Sequence, residues 1–190
     1  MYRTPLADAR FYDLLLAFDR DIANTARCAG CAMCSGRLHS ASFPRKPRGR
    51  ACRLGPEQDQ RFSFCCAVDG CRGRATPPSL RFLGRKVYLA AIVVLISIMR
   101  HGATEPRTRQ LTEAVGVDRR TIARWRAWWR DRFTASPFWR IARAAFMPSV
   151  DQDHLPAALI ERFTGDAADR LVALLRFLGP ITGGAAMQAA

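Results

Sequence analysis

The chain has 190 residues, of which 49% are hydrophobic, and 30 Lys plus Arg oppose 16 Asp plus Glu for a formal charge of +14. The apolar fraction excludes an intrinsically disordered polypeptide, and the length suits one or two small domains with a real core. The basic excess is concentrated in the middle: residues 35–86 carry twelve basic and three acidic side chains, and residues 87–150 carry eleven and four. A local field of this kind points to a polyanion, nucleic acid ahead of an anionic membrane surface.

The first segment, residues 1–27, opens with Thr4 as an N-cap and Pro5 at the first helical position. Phe11, Leu14, Leu15, Phe18 and Ile22 follow at helical spacing, which predicts an amphipathic helix seeking a partner surface. Its acids Asp8, Asp13, Asp19 and Asp21 read as a solvated face. Charges interrupt the apolar residues here, so no secretory signal is expected, and the expected location is the cytoplasm, at the bacterial nucleoid.

Helical periodicity disappears over 28–76, where Gly, Pro, Arg and Cys dominate and a metal or cross-link must replace a core. Cys31 and Cys34 form a C-x2-C pair followed by Ser35-Gly36, and Cys66 and Cys71 form a C-x4-C pair after "RFSF", a predicted strand. Two close thiolate pairs brought together by the fold are what a structural Zn2+ ion requires, so these four are the candidate ligands of a zinc ribbon with a long loop. Cys28-x2-Cys31 is an equally good pair by spacing, and Cys65 stands where it can replace Cys66, so the register stays open. His39 is a further candidate donor. A ferredoxin cluster lacks its fourth Cys followed by Pro, a thioredoxin-like redox pair lacks its βαβ setting, and disulfides require export.

Between the two pairs lies "PRKPRGRACR", 44–53. Arg45, Lys46, Arg48 and Arg50 are candidate DNA contacts. Pro47-Arg48-Gly49-Arg50 is similar to the core of an AT-hook, with Ala51 in place of its second proline; a loop making phosphate contacts alone is the plainer reading. "ATPPSL", 75–80, reads as a linker, and a helix is predicted over 84–100. Its apolar run, 87–99, is thirteen residues long, against the ~20 needed to span a bilayer, so a buried helix is expected and no membrane partner.

Residues 82–135 are expected to form a helix-turn-helix domain around "LTEAVGVDRRTIARW", 111–125. Thr112 supplies the small residue of the first helix, Gly116 the turn, Asp118 the cap of the second helix, and Val115, Val117, Ile122 and Trp125 the inner face. That register turns Arg119, Arg120, Ala123, Arg124 and Ala127 outward, where arginines can bond guanine O6 and N7 in the major groove of double-stranded DNA. One of Trp128 and Trp129 is expected to pack inward. Residues 136–180 read as a C-terminal helical segment broken at "ASPFW", with two short helices, the second capped by Asp166 and stopped at Gly179-Pro180; 181–190 read as a flexible tail. "DQDH", 151–154, reads as a loop of capping residues rather than a metal site.

The expected fold class is therefore mainly α with a small β zinc ribbon. Cys31, Cys34, Cys66 and Cys71 followed by "LTEAVGVDRRTIARW" resemble the N-terminal, DNA-recognising part of bacterial insertion-sequence transposases, over roughly residues 31–135. The resemblance implies binding of terminal inverted repeats, with cleavage assigned to a separate RNase H-like domain using three carboxylates and magnesium. Only 55 residues follow residue 135, too few for that domain, so no catalytic residues are assigned and a transposition-accessory role is implied. Rival expectations are a transcription regulator, a protein-interaction adaptor, and a transposase acting through a partner. A homodimer on paired half-sites is a further expectation.

Overall fold

The computed structural model describes residues 6–45, 47–48, 54–83, 88–99 and 116–183. The described residues are mainly helical, with two small antiparallel sheets. Helix α1 (Ala9–Ala29) leads into strands β1 (Leu38–Ser40), β2 (Phe43–Pro44), β3 (Gln60–Arg61), β4 (Phe64–Cys66) and β5 (Arg74–Ala75). Strands β1, β4 and β5 form one sheet in that order, and β2 pairs with β3 in the other. Helices α2 (Ala90–Met99), α3 (Arg119–Ala127), α4 (Pro137–Ala142), α5 (Ala157–Ile160) and α6 (Ala167–Phe177) follow. A π-helical stretch, Trp128–Phe133, continues α3.

Thr4 and Pro5 lie outside the described residues; the cap of α1 is Asp8, whose carboxylate accepts from the Arg10 N–H at 3.0 Å. The buried face of α1 holds Phe11, Tyr12, Leu15, Leu16, Asp19 and Ala23, a stripe rotated from the one the apolar spacing suggests, and Leu14 is exposed. Asp19 corrects the sequence reading: it is buried, not solvated. Its carboxylate accepts from the Ser79 hydroxyl at 2.5 Å, the Leu80 N–H at 2.6 Å and Arg81 Nε at 2.9 Å. Burying a carboxylate is tolerated only with such a full set of donors.

Arg81 is equally buried, and its remaining donors reach the carbonyls of Glu57, Gln58 and Gln60 at 3.1, 3.0 and 2.8 Å. Its guanidinium also lies 5.0 Å from the Phe82 ring centroid and 5.5 Å from that of Phe62. The ion pair thus ties the first helix to the segment after β5, and the Arg81 hydrogen bonds extend the tie to the stretch leading into β3. "ATPPSL" is accordingly no linker: Pro77, Ser79 and Leu80 are buried. The buried Arg61 donates to the Pro77 carbonyl, and the Ser79 N–H donates to Thr182 Oγ1 at 2.7 Å. That bond fixes the short 3-10 helix Gly179–Thr182, so the chain is still anchored at the start of the predicted tail; 184–190 lie outside the described residues.

The described part of the predicted 84–100 helix begins at Ala90, after Tyr88 and Leu89 make isolated bridges to Arg48 and Phe82. Residues Ala90 to Ser97 are all buried, which is why this segment has no amphipathic period. It packs within one core with Leu15 of α1, Ile122, Trp125 and Trp129, and Leu171 and Leu174 of α6. "ASPFW" starts a helix instead of merely breaking one: the Ser136 hydroxyl accepts from the Trp139 N–H at 3.2 Å, and Trp139 is fully buried. Asp166 caps α6 in a reciprocal capping box with Asp169, as the sequence predicts. Among the described residues no helix is long and apolar enough to cross a membrane.

Candidate functional site

Two chain reversals build a four-sulfur cluster. In the first, the Ser35 N–H donates to the Cys31 carbonyl at 2.7 Å and the Cys31 N–H to the Gly36 carbonyl at 2.9 Å, with Ser35 in the left-handed region at φ 57°. In the second, the Cys71 N–H donates to the Val68 carbonyl at 3.1 Å, and the Cys66 N–H to that of Gly73 at 2.9 Å. Each loop also aims amides at its sulfurs, among them Met33 N–H at Cys31 Sγ and Val68 N–H at Cys66 Sγ, both at 3.4 Å. Glycine is required at Gly73, because a Cβ there would lie 2.6 Å from Cys31 Sγ; one at Gly36 would lie 2.5 Å from the exposed Val68 side chain, which would have to turn away. The sequence reading used Gly36 but missed Gly73, which stands outside both cysteine pairs.

The sulfurs of Cys31, Cys34, Cys66 and Cys71 all lie within 4.8 Å of one another. Cys31 and Cys71 are 3.8 Å apart, and Cys34 and Cys66 are 3.4 Å apart. Those separations exclude the ~2.05 Å bond of a disulfide. A tetrahedron of thiolates ~2.3 Å from a central ion has edges of about 3.8 Å, so the residues present fit a metal ion. The amide of Met33, with that of Cys34, pulls the Cys31 thiol down to about 7. At Cys34, Cys66 and Cys71 the amides of Gly36, Val68 and Gly73 favour the thiolate, but burial and neighbouring thiols outweigh them and the pKa values rise. Four thiols crowded together resist collective ionisation until a cation joins them.

The other donors stand apart from this cluster. Cys28 is exposed in the last turn of α1. Cys65 pairs across the sheet with His39 on one side and Arg74 on the other. Strand alternation turns this row away from Cys66 and the small buried cluster of Leu38 and Phe64. In "DQDH", Asp151 accepts from the Asp153 N–H at 2.9 Å and pairs with His154 Nδ1 at 2.6 Å, a contact that holds its carboxyl below the ordinary range.

The helix that follows Gly116 is the second candidate feature. Gly116 has φ 62°, the left-handed conformation its turn needs. Asp118 caps α3 by accepting from the Thr121 N–H at 2.7 Å and the Thr121 hydroxyl at 2.9 Å; these bonds hold its carboxyl below the usual carboxylate range. Val117, Thr121, Ile122 and Trp125 are buried, with Trp125 edge-on to Tyr88 at 5.1 Å. Arg119, Arg120, Ala123 and Arg124 are exposed, and Arg124 donates to Thr121 Oγ1 at 2.7 Å. Trp129 is buried and Trp128 lies edge-on to it at 4.8 Å. The predicted first helix of the pair, including Thr112 and Val115, lies outside the described residues.

In the basic loop, Lys46 and Arg50 also lie outside the described residues. Arg45 is half-buried, with its guanidinium 5.8 Å from the Phe82 ring centroid, and desolvation lowers its pKa. Arg48 is exposed and its backbone bridges Tyr88. The loop is thus pinned to the helical core at Arg45 and Arg48, which local composition could not reveal.

No family model, no curated protein and no solved structure matches this chain.

Proposed function

We propose that this protein binds double-stranded DNA through α3 and carries a structural Zn2+ ion on Cys31, Cys34, Cys66 and Cys71. The observation that carries the reading is the division of α3: one side supplies Ile122 and Trp125 to the core while Arg119, Arg120 and Arg124 project from the other. A capped helix anchored along one face and cationic along the other has the chemistry to enter a major groove. Zinc is favoured because the four donors are all thiolates and leave no open coordination position, the hallmark of a structural site. The cation would set the two loops and hold the β1-β4-β5 sheet against the end of α1.

On this reading α3 is the second helix of a helix-turn-helix whose first helix lies outside the described residues, and the cysteine cluster belongs to a zinc ribbon. The similarity in motif order to insertion-sequence transposases supports a transposition-accessory role, with a transposase or a second copy of this chain as partner. A transcription regulator would use the same helix. The test is duplex binding by zinc-loaded protein as salt is varied. If six to ten phosphates are contacted, affinity falls by roughly 10³–10⁵ between about 50 and 200 mM salt. A slope of log K against log salt near one or two would contradict the proposal.

A further inference from the structure

A cleft of about 360 Å³ runs beside α3, between that helix and the 152–155 loop. Its helix side is Ala123, Arg126, Ala127 and Arg130, and its far wall is Gln152, Asp153 and Leu155. Neither Arg126 nor Arg130 belongs to the residues first singled out on α3, because each stands beside the outward centre of the helix. Arg119, Ala123, Arg126 and Arg130 follow one another at spacings of four, three and four, so they form a single ridge along one edge. Resting on the DNA-binding reading of α3, we propose that this cleft seats the sugar–phosphate backbone of the strand bordering the groove, with Arg126 and Arg130 as its phosphate contacts.

A recognition helix contacts base edges mainly through its N-terminal residues, and its flanks face the two strands. Arg119 and Arg120 occupy the N-terminal end of α3, and Arg126 and Arg130 lie one and two turns beyond Ala123 on the cleft edge. Ala123 and Ala127 keep that edge shallow between the arginines, so a backbone can approach without meeting a large side chain. The far wall is held in place from behind: Gln152 Oε1 accepts from the indole N–H of buried Trp139 at 3.2 Å, and the Asp153 N–H is fixed by Asp151 at 2.9 Å. Arg130 is shared, since Asp131 accepts from it in a two-bond pair at 2.6 and 2.9 Å. Arg126 therefore carries the larger share. Asp153 lines the wall opposite the arginines, where a carboxylate opposes an incoming phosphate.

The zinc-loaded 190-residue chain and the variants Arg126→Ala, Arg130→Ala, Asp153→Asn and Arg120→Ala would be titrated with one fluorescent duplex across a salt series, with circular dichroism to verify folding. Loss of Arg126 is expected to weaken binding and to reduce the salt slope by about 0.9, one phosphate contact. Arg130→Ala gives a smaller loss, and Asp153→Asn tightens binding severalfold. Folded Arg126→Ala and Arg130→Ala proteins that keep the wild-type affinity and slope while Arg120→Ala weakens binding would overturn the cleft and leave the reading of α3 standing. Absence of duplex binding by the wild type would overturn both. Competition by inorganic phosphate at equal ionic strength, lost in Arg126→Ala without change in duplex affinity, would also overturn the proposal by assigning the cleft to a free anion.

Discussion

Replacing Asp19 with alanine should cost roughly 3–5 kcal/mol of folding stability, the penalty for leaving a buried partner charge uncompensated. Asp19 and Arg81 are 1% and 0% exposed, so water cannot take over from the missing carboxylate. The deletion also orphans the Ser79 hydroxyl and the Leu80 N–H, both buried and both aimed at Asp19. Burial already lowers the Arg81 pKa, with Asp19 opposing that shift, so loss of the acid leaves the buried guanidinium without its counter-charge. A domain is commonly stable by only ~5–15 kcal/mol, so this one change removes a large part of the margin. Urea denaturation checks it, with exposed Asp21→Ala as the comparison, for which only the small change usual at a surface is expected. Equal midpoints for the two variants would contradict the buried-pair description.

The second large effect is expected at the cysteine cluster. Cys66→Ser should reduce bound zinc from one ion per chain to none at micromolar zinc, a loss greater than the roughly 10–100-fold that removal of an outer partner of a metal ligand costs. Among its described residues the segment from Cys31 to Ala75 has few buried apolar anchors in its own cluster, chiefly Leu38 and Phe64 with Ala23 of α1, so it should open to protease once the ion is gone. Arg61 and Arg81 still hold Gln58 and Pro77 to the helical core, so cleavage should concentrate in the two cysteine loops, Cys31–Gly36 and Cys66–Gly73. Cys28→Ser and Cys65→Ser should keep a full equivalent of zinc, because neither sulfur belongs to the cluster. Zinc lost in Cys65→Ser but kept in Cys66→Ser would reverse the register.

The difference between these two regions also explains how much could be read before the fold was known. Ligand spacing is local information: a C-x2-C turn followed by Ser35-Gly36, and a C-x4-C turn containing Gly70, limit which sulfurs can converge, and the structure gathers the four named from spacing. The caps Asp118 and Asp166 and the inward Ile122 and Trp125 are legible for the same reason, since each acts within a turn or two of its own position. Asp19 is not, because its partners lie 60 to 62 residues away and a carboxylate on an amphipathic helix reads as solvent-facing until they arrive. "ATPPSL" fails in the same way: Pro and Ser suggest a connector, and only Arg61, Asp19 and Thr182 make it an interior wall. Arg126 was obscured by its position at the rim of the outward face, where the 152–155 loop gives it a setting.

The most direct measurement is selection of bound duplexes from a random library by zinc-loaded protein at about 150 mM salt, repeated with the Arg120→Ala, Arg124→Ala double variant. We expect the wild type to enrich a defined motif and the double variant to lose that enrichment while retaining weak binding, since each good arginine–guanine pair is worth roughly 1–3 kcal/mol of discrimination. Retention without enrichment by the wild type, or the same motif from both proteins, would contradict recognition through α3.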